Sequence, residues 1–256
     1  MSTVISFLNN KGGVAKTTST INIGAALNQL GYKVLLVDLD AQASLTQSLG
    51  FSSELENTVY EALIGEIKAS EAILQKKEGF DIIPAQLGLS MVEIELAGEI
   101  SRESILKDLL APIKSNYDFI LLDCSPAIGL LTMNALVASD KIIIPILSEY
   151  LAIKGMNKLL GFADKIKRKL NPNLNIAGLL LTRFSARKNL SQMVEQSLRD
   201  NFGTSVLKNS IRENISLAEA PTAGLDIFDY APKSAGASDY LAVCKELLHE
   251  QFHISK

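Results

Sequence analysis

The chain has 256 residues, a formal net charge of −3 and 47% hydrophobic residues, enough to bury a sizeable core. Its apolar runs are too short to cross a bilayer, and no basic segment precedes a hydrophobic stretch near the start, so we expect neither a membrane span nor a signal peptide. The two cysteines, Cys124 and Cys244, lack metal-ligand spacing, which predicts small core residues in a reducing cytoplasm.

Continuous runs of Val, Ile and Leu are typical of strands that are buried on both faces of a parallel sheet. Such runs predict strands at residues 3–8, 33–38, 80–84, 117–123, 141–147 and 175–182. Helical patterns lie near 16–30, 102–115, 128–139, 150–170, 189–202 and 236–251. The alternation predicts an α/β fold: a three-layer, doubly wound, mostly parallel sheet with helices on both faces. We expect a single domain over residues 1–256 with no N-terminal DNA-binding extension.

A glycine-rich stretch joins the first predicted strand to the first predicted helix. In such a loop the backbone N–H groups and the helix N-terminus cradle phosphate, as in a P-loop NTPase. Lys16 is placed to reach the β- and γ-phosphates, and the Thr17 hydroxyl to hold Mg²⁺. The residues predicted to bind the nucleotide here are Lys11, Gly12, Gly13, Val14, Ala15, Lys16, Thr17 and Thr18.

This loop departs from the strict P-loop pattern. Asn10 and Ala15 stand where that pattern has glycine, and a second lysine, Lys11, stands at its start. An alanine fits the loop without strain when its φ is negative, so we predict a negative φ for Ala15.

Two further predicted strands end in carboxylates. Asp38 is the last residue of the predicted strand at 33–38, and Asp40 follows it by two residues. Asp123 is the last residue of the predicted strand at 117–123. Because ligands bind at the carboxyl ends of parallel strands, we expect these ends to meet the loop after residue 8. A carboxylate there can hold a Mg²⁺-bound water or orient the water that attacks the γ-phosphate. Asp123 after four apolar residues matches the Walker B arrangement.

The chain resembles the ParA/Soj group of partition ATPases, within the deviant Walker A class that includes MinD. The resemblance runs over nearly the whole length. It is carried by the stretches Asn10 to Thr18, Val34 to Gln42, Tyr117 to Tyr150, Asn189 to Gln192, Leu217 to Pro221 and Tyr230 to Ala237.

The resemblance implies a dimer that sandwiches two ATP molecules, with ATP and Mg²⁺ as cofactors. Lys11 would then reach the partner's phosphates, and Lys16 would bind phosphate within its own chain. Thr17 and Asp123 would hold Mg²⁺, and Asp40 would position the attacking water. Lys11, Lys16 and Asp40 are therefore the predicted catalytic residues, and Asp38 is predicted to help bind the cofactor.

The resemblance also implies slow, partner-stimulated ATP hydrolysis that drives partition of plasmid or chromosomal DNA. The ATP-bound homodimer would bind nonspecific DNA and a ParB-type centromere-binding protein. It would be cytoplasmic, associated with the nucleoid in the ATP state and independent of the membrane.

The DNA-contacting residues are harder to assign, because Arg212 is displaced by one position and Ser216 replaces an arginine common in the family. Residues 151–188 nevertheless hold nine basic residues and one acid, a candidate polyanion surface. Thr182 and Arg183 are candidates for the wall of the adenine pocket. The predicted DNA contacts are Lys154, Lys158, Lys165, Lys169, Arg187, Lys208 and Arg212.

Three other functions share this loop. A MinD-like ATPase that cycles on membranes needs a basic amphipathic C-terminal tail, whereas residues 239–256 include acids and resemble a packed final helix. An iron–sulfur reductase of the nitrogenase iron-protein type needs two cysteines that bridge a cluster between subunits. A ParA-like ATPase that positions a protein cargo remains open, because the partner chooses the cargo.

Overall fold

The computed structural model describes residues 2–52, 54–148 and 152–254, with the side chains of residues 152–155 outside that description. The strands are β1 (Thr3–Phe7), β2 (Val34–Leu39), β3 (Leu74–Lys77), β4 (Phe80–Ile83), β5 (Phe119–Cys124), β6 (Lys141–Leu147) and β7 (Asn175–Thr182). The helices are α1 (Lys16–Gln29), α2 (Ser44–Ser48), α3 (Val59–Leu63), α4 (Val92–Glu95), α5 (Ile105–Leu110), α6 (Leu130–Ala138), α7 (Ala152–Lys169), α8 (Asn189–Phe202), α9 (Ser216–Glu219), α10 (Ile227–Tyr230) and α11 (Ala235–Glu250).

The strands form a seven-stranded sheet in the order β3-β4-β2-β5-β1-β6-β7. Every neighbouring pair is parallel except β3 with β4. β2 and β5 are buried along their whole length, which explains their continuous apolar runs. The predicted fold class is confirmed.

Helices cover both faces of the sheet. On one face α1 and α11 pack together over a core that includes Phe7, Leu36 and Tyr240. On the other face α5, α6 and α7 lie over a core that includes Leu35 and Leu122. Because neighbouring strand residues point to opposite faces, Leu35 and Leu36 enter different cores.

Among the described residues, the sequence analysis missed one strand, β3, and five short helices, α2, α3, α4, α9 and α10. One helix is shorter than predicted. β3 is a four-residue edge strand, and its two lysines interrupt the apolar pattern. Charged residues are common on edge strands, where they discourage further strand pairing. The helix predicted at 102–115 is regular in Ile105–Leu110.

The register of the central strands determines where the chemistry lies. Phe7 and Asp38 both pair with Asp123 of β5. The ends of β1, β2 and β5 therefore lie side by side, as expected, and the glycine-rich loop begins at the same edge.

Candidate active site

A cavity of about 670 Å³ lies at this edge of the sheet. One end is bordered by the loop and the start of α1, through Gly12, Gly13 and Lys16. Asp40 lies on its wall, and Thr182, Arg183 and residues 211–215 line the part that we call the far wall. The strand ends and the loop thus build one site, as the sequence predicts.

The loop turns twice through left-handed backbone conformations. Gly13 has a φ of 72° and Ala15 a φ of 66°. A Cβ at Gly12 or Gly13 would meet no protein atom within 4 Å, because these glycines border the open cavity. The prediction of a negative φ at Ala15 is wrong. The chain must reverse immediately before α1, and Ala15 is the N-cap residue that makes the turn.

A buried asparagine that the sequence analysis did not single out holds the start of the loop. Asn9 donates from Nδ2 to the Pro145 carbonyl at 2.7 Å and accepts from the Lys11 N–H at 3.0 Å. Its position directly before the loop is the signal that could have identified it. Asn9 thereby fixes the backbone of Lys11 to the end of β6.

Lys16 is almost fully buried at the start of α1, with 8% exposure. Its Nζ donates to the carbonyl of Lys11 at 3.2 Å. Burial lowers the pKa of Lys16, and the nearby Asp123 carboxylate opposes that shift. A buried ammonium with one backbone acceptor is well suited to bind a polyanion that enters the cavity.

Thr17 and Asp123 meet beneath the loop. The Thr17 hydroxyl donates to Asp123 Oδ2 at 2.6 Å, and the Thr20 hydroxyl lies 3.4 Å from Oδ1. Burial, with the neighbouring Asp38 carboxylate, raises the pKa of Asp123 to about 7. A hydroxyl and a buried carboxylate beside a second carboxylate are hard oxygen donors in a negative environment, which fits Mg²⁺.

Asp38 has a different position from the one expected. It is fully buried, and its Oδ2 accepts from the N–H and hydroxyl of Thr46 at 2.9 and 2.8 Å. Oδ1 accepts from the Asp40 N–H at 3.1 Å. Burial raises the pKa of Asp38 to about 6, against the hydrogen bonds from Thr46. Asp38 therefore shapes the turn that carries Asp40, instead of contacting a ligand through its own oxygens.

Asp40 directly follows β2 and borders the cavity. Its Oδ1 accepts from the Gln42 N–H at 3.0 Å, and Gln42 borders the cavity as well. The carboxylate is thus oriented by its own turn, at the side of the cavity where the loop places the phosphate-binding groups.

Val14 and Thr182 connect the loop to β7. Val14 is buried, and its carbonyl accepts from the Thr182 hydroxyl at 3.2 Å. Val14 thus supports the loop from behind. Thr182 and Arg183 both border the cavity, and their role in a base pocket stays a prediction.

The far wall consists largely of residues that the sequence analysis did not assign to the nucleotide. Residues 211–215 run beside the end of β7, and Tyr240 of α11 closes the cavity from below. The Tyr240 hydroxyl lies 3.1 Å from Ser19 Oγ of α1. Residues 211–215 and Tyr240 lie apart in the sequence and form no local motif, so the sequence analysis did not assign them to the nucleotide.

The basic residues predicted to contact DNA fall into two regions. Lys158, Lys165 and Lys169 are exposed on α7, whose opposite side packs in the core, and Arg187 is exposed before α8. Lys154 belongs to α7, but its side chain lies outside the described residues.

Lys208 and Arg212 lie in the second region and are engaged by carboxylates of α11. Lys208 Nζ donates to Glu250 at 2.6 Å. Arg212 makes a bidentate pair with Asp239, through Nε at 3.0 Å and a terminal nitrogen at 2.7 Å. Arg212 also borders the cavity. Asp239 pairs with Arg212 at the cavity wall, while 56% of the Arg212 side chain stays exposed, so its DNA contact stays a prediction.

The cysteines are buried on opposite faces of the sheet. Cys124 belongs to the core beneath α6, and Cys244 to the core beneath α11. Burial raises the pKa of both thiols to about 12, which agrees with small core residues. Across residues 2–52, 54–148 and 152–254, no helix has the length and apolar character needed to cross a membrane.

Comparison with known proteins assigns the family. A family model described as an AAA domain matches residues 2–176. The sporulation initiation inhibitor protein Soj of Bacillus subtilis is 43% identical over 249 residues, which cover 96% of this chain and 98% of Soj. The chain belongs to the ParA/Soj family. The predicted resemblance is confirmed.

Other ParA/Soj relatives agree. The chromosome partitioning protein ParA of Myxococcus xanthus is 38% identical over 247 residues, covering 96% of this chain and 87% of that protein. A crystal structure described as cobyrinic acid a,c-diamide synthase from Mycobacterium smegmatis, with bound ADP and magnesium, superposes with a TM-score of 0.87. It is 35% identical and covers 97% of this chain and 95% of that one. The Soj and ParA relatives support an ATPase of the partition or positioning type, and the ADP- and magnesium-bound structure supports a nucleotide-binding fold.

Proposed function

We propose that this protein is an ATP-hydrolysing dimeric switch for partition of plasmid or chromosomal DNA. We also propose that residues 1–256 form a single ATPase domain. The observation that carries the proposal is the arrangement of one cavity. A buried Lys16, the Thr17–Asp123 pair and Asp40 surround the phosphate end, and a second lysine, Lys11, opens the same loop.

Binding relies on the loop and α1. Backbone N–H groups of Gly12, Gly13 and the first turn of α1 hold the β- and γ-phosphates, and Lys16 neutralises their charge. Thr17 and Asp123 would hold Mg²⁺, which would neutralise the negative charge that develops during phosphoryl transfer. Residues 182–183 and 211–215 receive the base at the far wall.

Hydrolysis requires that the attacking water be positioned beside the γ-phosphate. Asp40 accepts a hydrogen bond from the attacking water and aims its oxygen at the γ-phosphorus. As the new P–O bond forms, the bond from the γ-phosphorus to the β–γ bridging oxygen breaks. Lys16 remains beside the oxygens that gain negative charge.

Lys11 connects this chemistry to dimerisation. Two ATP molecules that face each other bring many negative charges together, so a lysine supplied by the partner subunit is needed at each site. In this role Lys11 replaces an arginine finger, which gives a rate effect of about 10³–10⁵ where one exists.

The ATP-bound dimer would bind nonspecific DNA in the cytoplasm, at the nucleoid, until a ParB-type partner stimulates hydrolysis. Lys158, Lys165 and Lys169 on the exposed side of α7, together with Arg187, supply a surface for DNA phosphates. Phosphate contacts need no sequence readout, and they weaken steeply with salt.

The test is DNA binding by the Asp40→Ala variant, with and without ATP, across a salt series. We expect binding that requires ATP, with an affinity that falls about 10³- to 10⁵-fold between 50 and 200 mM salt when both subunits contact DNA. Lys165→Ala combined with Lys169→Ala should reduce the salt slope by about 2 for each subunit that contacts DNA, because each removed phosphate contact lowers it by about one. Binding that ignores ATP, or ATP-dependent binding to anionic vesicles instead of DNA, would contradict the proposal.

A further inference from the structure

The loop that follows Asp123 is held by a side chain from a different part of the chain. Residues 125–129 connect the end of β5 to α6, and Pro126 of this loop borders the cavity together with Asp40. α6 begins after Gly129, which has no side chain to cap the helix. Glu93 of α4 supplies the cap: its Oε1 accepts from the Leu130 N–H at 2.7 Å.

The contact depends on the glycine. An added Cβ at Gly129 would overlap Oε1 of Glu93. The Glu93 carboxylate can therefore come this close to the backbone only because residue 129 has no side chain. Gly129 has a negative φ of −141°, which any residue adopts. Residue 129 is therefore a glycine because Glu93 approaches it closely, and not because the backbone is strained.

The rest of the loop is fixed from within. The hydroxyl of Thr132 donates to the Ala127 carbonyl at 2.5 Å, and the Ala127 N–H donates to Ser125 Oγ at 3.2 Å. These bonds make the loop and the first turn of α6 one unit. Glu93 attaches that unit to α4, which the buried side chain of Val92 fixes in the core.

We propose that Glu93 is a positioning residue for ATP turnover: its carboxylate caps α6 and thereby holds Pro126 in the wall of the cavity that Asp40 also borders. This inference rests on the proposed ATPase function. A carboxylate also favours a helix N-terminus electrostatically, and small displacements of a positioning group reduce turnover strongly.

Three variants isolate the contact. Glu93→Ala removes the acceptor, whereas Glu93→Gln keeps a carbonyl oxygen for the Leu130 N–H. Gly129→Ala leaves Glu93 in place but displaces its carboxylate. The matched control is Glu95→Ala, which removes an exposed carboxylate from the same helix. Glu95 accepts from the Tyr60 hydroxyl at 2.7 Å, and among the described residues it makes no hydrogen bond or ion pair with α6.

The measurements are kcat, the KM for ATP and the thermal unfolding midpoint. We expect Glu93→Ala and Gly129→Ala each to lower kcat about three- to tenfold, with the KM and the midpoint close to those of Glu95→Ala. Glu93→Gln should keep at least about half of the wild-type kcat. The Glu93→Ala/Gly129→Ala double variant should lose no more than either single variant, because both remove the same contact.

The outcomes separate this inference from the proposed function. If the wild-type protein hydrolyses ATP and Glu93→Ala keeps the kcat of Glu95→Ala, the positioning role is wrong. Losses that add in the double variant, or that appear as a lower midpoint with unchanged kcat, also overturn it. Absence of ATP hydrolysis by the wild-type protein contradicts the proposed function itself.

Discussion

Ala15 carries the backbone strain of the phosphate loop. A left-handed conformation costs an alanine about 1–2 kcal/mol relative to the right-handed region, and glycine adopts it freely. We therefore expect Ala15→Gly to raise the free energy of unfolding by about 1 kcal/mol while ATP binding persists, as measured by urea denaturation and a nucleotide titration.

Ala26→Gly is the matched control, because Ala26 is buried in the middle of α1 with regular helical neighbours. There the same substitution should destabilise the protein by about 1 kcal/mol or more. Equal destabilisation at both positions would show that Ala15 is not strained.

Single-residue geometry is also where sequence reasoning reached its limit. Residue types and spacing predicted that Lys16, Thr17, Asp40 and Asp123 share one site, because strand ends and a glycine-rich loop converge in this fold. They could not predict the φ of Ala15 or the inward turn of Asp38. Those features depend on Thr46 and on the reversal before α1, which have no signature of their own in the sequence.

At the scale of elements, β3 is tied to α10 across a long sequence separation. Lys77 Nζ lies 2.6 Å from Oδ2 of Asp226 and 2.6 Å from Oδ2 of Asp229. The Asp226 side chain is fully buried, and its other oxygen caps α10 by accepting from the N–H groups of Phe228 and Asp229. Burial raises the pKa of Asp226, and Lys77 opposes that shift.

We expect Lys77→Met to destabilise the fold by about 1–3 kcal/mol, because it leaves a buried carboxylate without its cation. Urea denaturation measures the change. The matched control is Lys114→Met, which breaks a partly exposed pair with Asp140 at 3.4 Å and should cost about 0.5 kcal/mol or less. Equal effects at the two lysines would contradict a structural role for the Lys77 pair.

The elements themselves were largely predictable, and the exceptions have physical reasons. Apolar runs buried on both faces identified the six parallel strands to within about two residues. β3 escaped because a short charged edge strand lacks such a run. Residues 211–215 of the far wall escaped because they are positioned by α11, through the Arg212–Asp239 pair, and not by a motif.

At the scale of the whole molecule, the proposed function couples the nucleotide state of the protein to its assembly state. In the proposed function Lys16 binds phosphate from within the chain, and its buried position restricts it to the nucleotide of its own subunit. Lys11 lies at the start of the loop, where Asn9 fixes its backbone. A role across a dimer interface requires that Lys11 be dispensable for ATP binding but essential for ATP-driven association.

Light scattering with ATP and Mg²⁺ on Asp40→Ala and on the Lys11→Ala/Asp40→Ala double variant tests this requirement most directly, with bound nucleotide measured in the same samples. Asp40→Ala should bind ATP and reach twice the 27.7 kDa mass of the chain, because hydrolysis no longer releases the dimer. The double variant should bind ATP and stay at the mass of one chain. A monomeric Asp40→Ala protein with ATP bound, or a double variant that dimerises normally, would contradict the ATP-switched dimer.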